Sequence, residues 1–327
     1  MDTLPPPEEA SDFLASPRTL LQVEQFLGRG AMEGGFVLAG ADGAGKATLA
    51  FLLAATVLSG GKKLGDVDPK VRSMIAAGAH PDLTVMRRQE NEKTGKLRQE
   101  IDVDQARKVI SKLHQTSASG RSVVIVDLAD ELNRNAANSL LKVLEEPPKG
   151  AVLFLLSRSP SRLLPTLTSR CRKIALGAVE EDALANWLAQ RTGSSVDDAR
   201  TLARDAEGAP GRALRLALGE GQEAASVADS FLRAVEGKQD LLAASRKFAG
   251  KGQELIAEEA RGIVLARLRR RLTEDGIENS ERGRRIEAYD QARALFSYIG
   301  TADPAQTALV AGLRIRDVMA GKTTHVR

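Results

Sequence analysis

Seven consecutive residues, Gly40-Ala41-Asp42-Gly43-Ala44-Gly45-Lys46, have the spacing G-x-x-x-x-G-K. Glycines at Gly40, Gly43 and Gly45 let backbone N–H groups converge on phosphate oxygens. A following helix adds positive potential at its N-terminus, and Lys46 can reach the outer phosphates. A glycine-rich turn beside a surface lysine would carry the same letters. The flanks argue against that, because an apolar run at 35–39 precedes the glycines and a helical pattern at 47–58 follows them. Hydrolysis in such a site needs a Ser or Thr hydroxyl on Mg²⁺ directly after the lysine. Ala47 stands there, and Thr48, one place on, is turned by roughly 100° around the helix.

A second group completes the pattern. Val123-Val124-Ile125-Val126 is an apolar run ending in Asp127, the acidic position that helps hold Mg²⁺ in phosphate-loop enzymes. Hydrolytic sites of this class carry a Glu next, to align the attacking water, and here the residue is Leu128. Asp130 and Glu131 are close in sequence but off that position. Loss of both the hydroxyl and the carboxylate describes a pocket for weakly held or non-hydrolysed ATP or ADP. The expected nucleotide ligands within the chain are Gly40, Gly43, Gly45, Lys46, Thr48 and Asp127.

Metal chemistry has little to draw on. The single cysteine, Cys171, excludes an internal disulfide and any zinc site built on two thiolates. The three histidines, His80, His114 and His325, are far apart in sequence, so no zinc is expected. Cys171 reads as a small buried apolar residue. Glu145 and Glu146 end a helix, where negative charge is mildly unfavourable, and read as structural or interfacial rather than catalytic. In Arg261–Leu272, Val264, Leu265, Leu268 and Leu272 share one helical face, with Arg267 and Arg270 opposite. A solvated face is expected there rather than a DNA patch.

The elements that must position these groups alternate strand and helix. Helices are expected at 19–27, 47–58, 71–78, 104–114 and 134–146, the last stopped by Pro147-Pro148. Strands are expected at 35–39, 82–86, 122–127 and 151–156, with a loop at 89–99. The continuous β-branched run at 122–127 marks a central strand covered on both faces. Residues 1–17, acidic and rich in proline, read as a loose arm. After Cys171 the chain turns almost wholly helical. Alternation of this kind predicts an α/β domain with a parallel sheet.

A chain of 327 residues exceeds one small core. Boundaries near Gly177 and Gly219-Glu220-Gly221 give an α/β domain at 1–176, a helical segment at 177–220 and a helical domain at 221–327. Aromatics at 3% argue against an all-β sandwich and against a base-stacking platform, while a net charge of +4 permits nucleic-acid contact without requiring it. No apolar run approaches the roughly 20 residues of a membrane span. The acidic, proline-rich start is unlike a secretory leader, so a cytoplasmic location is expected.

Three further stretches carry a resemblance. They are Asp127 through Leu140-Leu141-Lys142-Val143-Leu144-Glu145-Glu146-Pro147-Pro148, then Phe154 through Ser169-Arg170-Cys171, then Gly208-Ala209-Pro210-Gly211-Arg212. With the phosphate loop they run in order over residues 36–213 and resemble the clamp-loader subunits of the AAA+ family that serve bacterial DNA polymerase III. The resemblance implies an AAA+ α/β domain, a helical lid and a helical collar that oligomerises. It implies that Arg170 acts as an arginine finger on a neighbouring subunit's ATP, where a planar, always-charged guanidinium suits a transferring phosphoryl group. Arg212 would be a phosphate-sensing lid residue, or simply a solvated arginine opening a helix. Ser157 or Ser159, with Arg158 between them, would stand near the γ-phosphate. Many relatives carry a four-cysteine zinc module; here only Ala79-His80-Pro81-Asp82 marks its usual exit. Implied partners are gamma/tau and delta subunits in a hetero-oligomer, a sliding clamp and, indirectly, primed DNA, with no membrane. The chain would be a component of a DNA-directed DNA polymerase, a nucleotidyltransferase, with little or no ATPase of its own. Two other readings stand. An active gamma-type ATPase is disfavoured by Ala47 and Leu128. A phosphate-loop nucleotide kinase would need an acceptor site and a lid arginine within the α/β core.

Overall fold

The computed structural model describes residues 6–28, 33–90, 95, 98, 100–113, 117, 120–249, 253–273, 277–297 and 303–321. His114 and His325, and most of the expected loop at 89–99, lie outside them. Contacts divide the chain into two units. The first holds the described residues up to Glu180 together with Ala209–Gly211, and the second holds Glu181–Gly208 and the described residues from Arg212 on.

Five strands make the sheet of the first unit: β1 (Gly34–Ala39), β2 (Leu83–Met86), β3 (Ser122–Val126), β4 (Ala151–Ser157) and β5 (Cys171–Ala175). All pairings are parallel, in the order β2-β3-β4-β1-β5. Side chains alternate between faces, so one strand feeds two cores. Phe36, Leu38, Val123, Ile125, Val152, Phe154 and Leu156 pack under α1 (Pro17–Gly28), α2 (Lys46–Ser59) and α3 (Pro69–Ala76). Val37, Val124, Val126, Leu153 and Leu155 pack under α4 (Val103–Leu113), α5 (Arg134–Glu145) and α6 (Pro165–Thr168). This is the expected α/β domain with a parallel sheet. Because α2 is apolar nearly all round, it is buried along most of its length.

Two expectations for this unit fail. Residues 171–175 form a strand, β5, at the sheet edge beside β1 rather than part of a helical region. Over its described residues, 6–17, the arm is not loose: the 3-10 turn Pro7–Glu9 packs on α2 and α3, Arg87 binds Glu8 at 3.0 Å, and Phe13 joins the apolar core.

The second unit is helical. Its helices are α7 (Glu181–Thr192), α8 (Val196–Asp205), α9 (Pro210–Ala217, which begins in the first unit), α10 (Gly219–Val235), α11 (Leu241–Arg246), α12 (Glu254–Arg270), α13 (Asn279–Ser297) and α14 (Pro304–Met319). Side-chain caps from Ser195, Asp240 and Asp303 begin α8, α11 and α14. Phe231, Phe248 and Phe296 form an aromatic cluster within it. Arg267 corrects the solvated-face reading of 261–272. Its Nε and Nη2 fork onto Asp205, which is 3% exposed, at 3.1 and 2.7 Å, and Nη1 reaches Asp229 at 2.6 Å. Among the described residues no helix is long and apolar enough to cross a membrane.

Candidate functional site

A parallel sheet places the carboxyl ends of its strands along one edge, where ligands of α/β folds bind. The phosphate loop leaves the end of β1, Asp127 follows β3, and Ser157 ends β4. The sheet order makes these three strands consecutive.

Gly43 and Gly45 hold positive φ values of 72° and 89°, which the loop's turn requires and which glycine adopts without strain. Lys46 folds back on the loop. Its Nζ donates to the carbonyls of Gly40 and Ala41 at 2.8 and 2.7 Å, and the residue is only 7% exposed. Burial pushes its pKa below the ordinary lysine range; Asp42 opposes that shift, Arg158 adds to it, and Asp130 and Asp127 oppose it. The loop is also covered. Gly211 donates its N–H to the Gly43 carbonyl at 2.8 Å, and an added Cβ on Gly45 would lie 2.9 Å from the Phe13 ring. The Lys46 ammonium thus spends two of its three donors on the loop's own carbonyls. Ala47 and Thr48 are both half-buried on α2, and Ala47 offers no oxygen for Mg²⁺.

Asp127 is partly buried, with Arg87 Nε 3.9 Å from its Oδ2. Burial raises its pKa, Arg87 and Lys46 pull it down, and Glu8 pushes it up. Leu128, in the place of the water-aligning Glu, takes φ 61° and ψ 68°, a left-handed conformation that costs a non-glycine residue about 1 kcal/mol or more. That turn swings the chain so that Asp130, not residue 128, faces the end of β4. Asp130 accepts the Ser157 hydroxyl at 2.8 Å and the Arg158 N–H at 2.7 Å. Ser157 is fully buried, and its Oγ accepts from the Ser159 N–H at 3.1 Å. The Ser159 hydroxyl pairs with Ser161. Glu131 binds Arg88 at 2.7 Å and lies 3.8 Å from Arg158, while burial raises its carboxyl pKa.

Arg170 stands apart from this constellation, between α6 and β5. Its Nε donates to Glu145 Oε1 at 2.7 Å, Nη2 lies 2.5 Å from the same oxygen, and Nη1 donates to the Thr166 carbonyl at 2.9 Å. Cys171 opens β5 opposite Gly35. A Cβ on Gly35 would strike the Leu144 side chain and sit 2.7 Å from Cys171 Sγ, so the strands approach this closely only with glycine there. Burial pushes the Cys171 thiol up to about 11.

Arg212 belongs to the helical unit and is not the solvated arginine of the second reading. Its side chain is 14% exposed, 3.5 Å from Glu259 and 3.7 Å from Glu207, and its guanidinium lies over Gly262. Among the described residues no group of three or more His, Cys, Asp or Glu could hold a metal ion. His80 accepts the Asp82 N–H on Nδ1 at 3.2 Å, a local turn contact.

Asp130, Phe13, Glu8 and Gly211 were not among the expected site residues. Asp130 could be flagged by its spacing from Asp127. Phe13 and Glu8 act through distant contacts with no local signature, and Gly211 lies within the 208–212 stretch, whose spelling does not reveal its bond to the Gly43 carbonyl.

Comparison with known proteins adds the remaining evidence. The family model described as DNA polymerase III, delta subunit, matches residues 15–180. The chain is 40% identical over 169 residues to DNA polymerase III subunit delta' of Pseudomonas aeruginosa, covering 51% of this chain and 50% of that protein. It is 38% identical over 152 residues to the delta' subunit of Escherichia coli K12, covering 46% and 44%, and 28% identical over 176 residues to the E. coli tau subunit, covering 49% and 27%. The chain thus spans about half the length of the delta' relatives it matches. Among solved structures, a gamma subunit-related protein from Thermotoga maritima aligns with a TM-score of 0.45 at 16% identity, covering 92% of this chain and 99% of that one. With the α/β unit matched nearly from end to end, the chain belongs to the family of the DNA polymerase III delta subunit.

Proposed function

We propose that this chain is a delta-prime-type subunit of a bacterial DNA polymerase III clamp loader, working in the cytoplasm to place a sliding clamp on primed DNA. The observation that carries this is the family match across the α/β unit. The absence of the Mg²⁺ hydroxyl at Ala47 and of the water-aligning carboxylate at Leu128 supports a non-hydrolysing subunit. Lys46 bound to its own loop supports the same reading: a nucleotide, ATP or ADP, binds weakly and stays intact, held by Gly40, Gly43, Gly45, Lys46 and Asp127, with Thr48 nearby.

On this reading the domain at 1–176 is the AAA+ module, 177–220 its lid with Arg212 as the phosphate-sensing residue, and 221–327 the collar that joins gamma/tau and delta subunits. Arg170 reaches the ATP of one neighbour. No zinc takes part.

Reconstitution tests this. The ATP-hydrolysing subunits, the delta subunit, the clamp and primed DNA should load clamps only when this chain is added. The chain alone should turn over no ATP. Robust turnover by the isolated chain, abolished by Lys46→Ala, would instead identify a gamma-type motor, and phosphoryl transfer to an added acceptor would identify a kinase.

A further inference from the structure

Glu145 is the last residue of α5, where a carboxylate meets the negative end of the helix and gains nothing from it. Its position is explained by what it faces. Arg170 presents the Nε/Nη2 side of its guanidinium to Glu145 Oε1, at 2.7 and 2.5 Å. The third nitrogen, Nη1, is held by the Thr166 carbonyl at 2.9 Å and lies 3.4 Å from Ser169 Oγ. The Thr166 carbonyl is fixed in turn, since it also accepts the Ser169 hydroxyl at 3.1 Å. The backbone on either side is equally determined. The Arg170 N–H donates to Leu167, whose side chain is buried, and Cys171 is registered against Gly35 of β1.

Acceptors from two separate elements therefore hold the planar group in one orientation. A guanidinium has five N–H donors. Glu145 and Thr166 take the side and one terminal nitrogen, which leaves Nη2 an N–H for a further acceptor on a side chain 34% exposed. Glu146, one residue on, forms no ion pair among the described residues, so the pairing is specific to Glu145.

We infer that Glu145 is a positioning residue for Arg170, fixing the fork in the orientation in which its free edge meets a phosphate oxygen of a neighbouring subunit's ATP. This rests on the reading of Arg170 as a finger acting in trans. Glu145 itself touches neither nucleotide nor reacting atoms. Its effect passes wholly through Arg170, because a finger displaced by about 1 Å loses on the order of 10²-fold at its site.

The test uses the fully assembled complex and its ATP turnover stimulated by DNA and clamp, with assembly checked by size-exclusion chromatography. Glu145→Ala should lower kcat toward the level of Arg170→Ala while leaving the KM for ATP unchanged. The double variant should be no slower than Arg170→Ala alone. Glu145→Gln, which keeps an acceptor for Nε, should fall between Glu145→Ala and the unaltered protein, and Glu146→Ala should match the unaltered protein. If Glu145→Ala fails to assemble, Glu145→Gln carries the test, and an unchanged kcat there overturns the proposal. Glu145→Ala turning over at or above the normal rate, with Arg170→Ala impaired, would mean that the pair restrains the finger rather than placing it; the finger would stand and the positioning role would fall. A further loss in the double variant would mean that Glu145 acts by another route. Unchanged turnover for Arg170→Ala would remove the finger reading and this inference together.

Discussion

Asp130 is the residue whose removal should most sharply test the geometry of the strand ends. Its carboxylate takes two donors, the hydroxyl of fully buried Ser157 at 2.8 Å and the exposed N–H of Arg158 at 2.7 Å. In Asp130→Ala, water can replace the second contact at little cost. The Ser157 hydroxyl has no such recourse, although its oxygen still accepts from Ser159. A lost hydrogen bond to a charged acceptor, with a buried donor left unpaired, costs about 2–3 kcal/mol. Asp130→Asn keeps an amide oxygen that the buried Ser157 hydroxyl can still donate to, leaving the exposed Arg158 N–H to water, so it should cost only about 1 kcal/mol. Ser157→Ala made together with Asp130→Ala should be less damaging than the sum, with coupling of about 1 kcal/mol. The single tryptophan, Trp187, lies on α7 in the helical unit, so its fluorescence does not report on the sheet. Hydrogen exchange of β3 and β4 amides does. Asp130→Ala within about 0.5 kcal/mol of the unaltered protein, or strict additivity with Ser157→Ala, would mean that Asp130 does not hold the end of β4.

Two further outcomes follow from burial. With its thiol pushed up to about 11, Cys171 should react with iodoacetamide at pH 8 on the order of 10²-fold more slowly than an ordinary exposed thiol, with the rate rising about tenfold per pH unit until near pH 11. Rapid labelling at pH 8 without denaturant would contradict that burial. Lys46→Met in the assembled complex should leave stimulated ATP turnover unchanged and reduce stability by no more than about 1 kcal/mol, because the ammonium's burial already offsets its two carbonyl bonds. The lysine's pKa is depressed on folding, so its own contribution to stability improves as pH rises from the folded toward the unfolded value. Unfolding of the Met variant measured across that alkaline range should lack this rise, and a collapse of turnover at pH 7 would show that the chain uses its own nucleotide site.

The strands β1, β3 and β4 were legible because each is buried on both faces and therefore reads as an unbroken apolar run. Edge strand β5 was not, since Arg172 and Lys173 are exposed and only Ile174 is fully buried. The phosphate loop, Asp127 and the missing hydroxyl and carboxylate were visible in local spacing alone. Invisible there was the reason residue 128 is not at the site: a left-handed turn that hands the end of β4 to Asp130. The arm misled through composition, because four prolines and several acids suggest a free tail while Phe13 and Glu8 make their contacts with Gly45 and Arg87, far along the chain. Arg267 misled through helical periodicity, which places it opposite the apolar face but does not reveal that Asp205 is buried there.

The measurement that bears most directly on the whole account is the DNA- and clamp-stimulated ATPase of an assembled complex carrying Arg170→Ala. The residue is exposed, so the variant should fold and assemble. If Arg170 completes a neighbour's ATP site as proposed, the loss at that site should be on the order of 10³-fold or more, appearing in total turnover as that site's share plus any coupling to the others. Arg170→Lys should not restore it, because a point charge on a flexible stem does not reproduce the planar fork. A fully assembled Arg170→Ala complex with unchanged stimulated turnover would contradict the account.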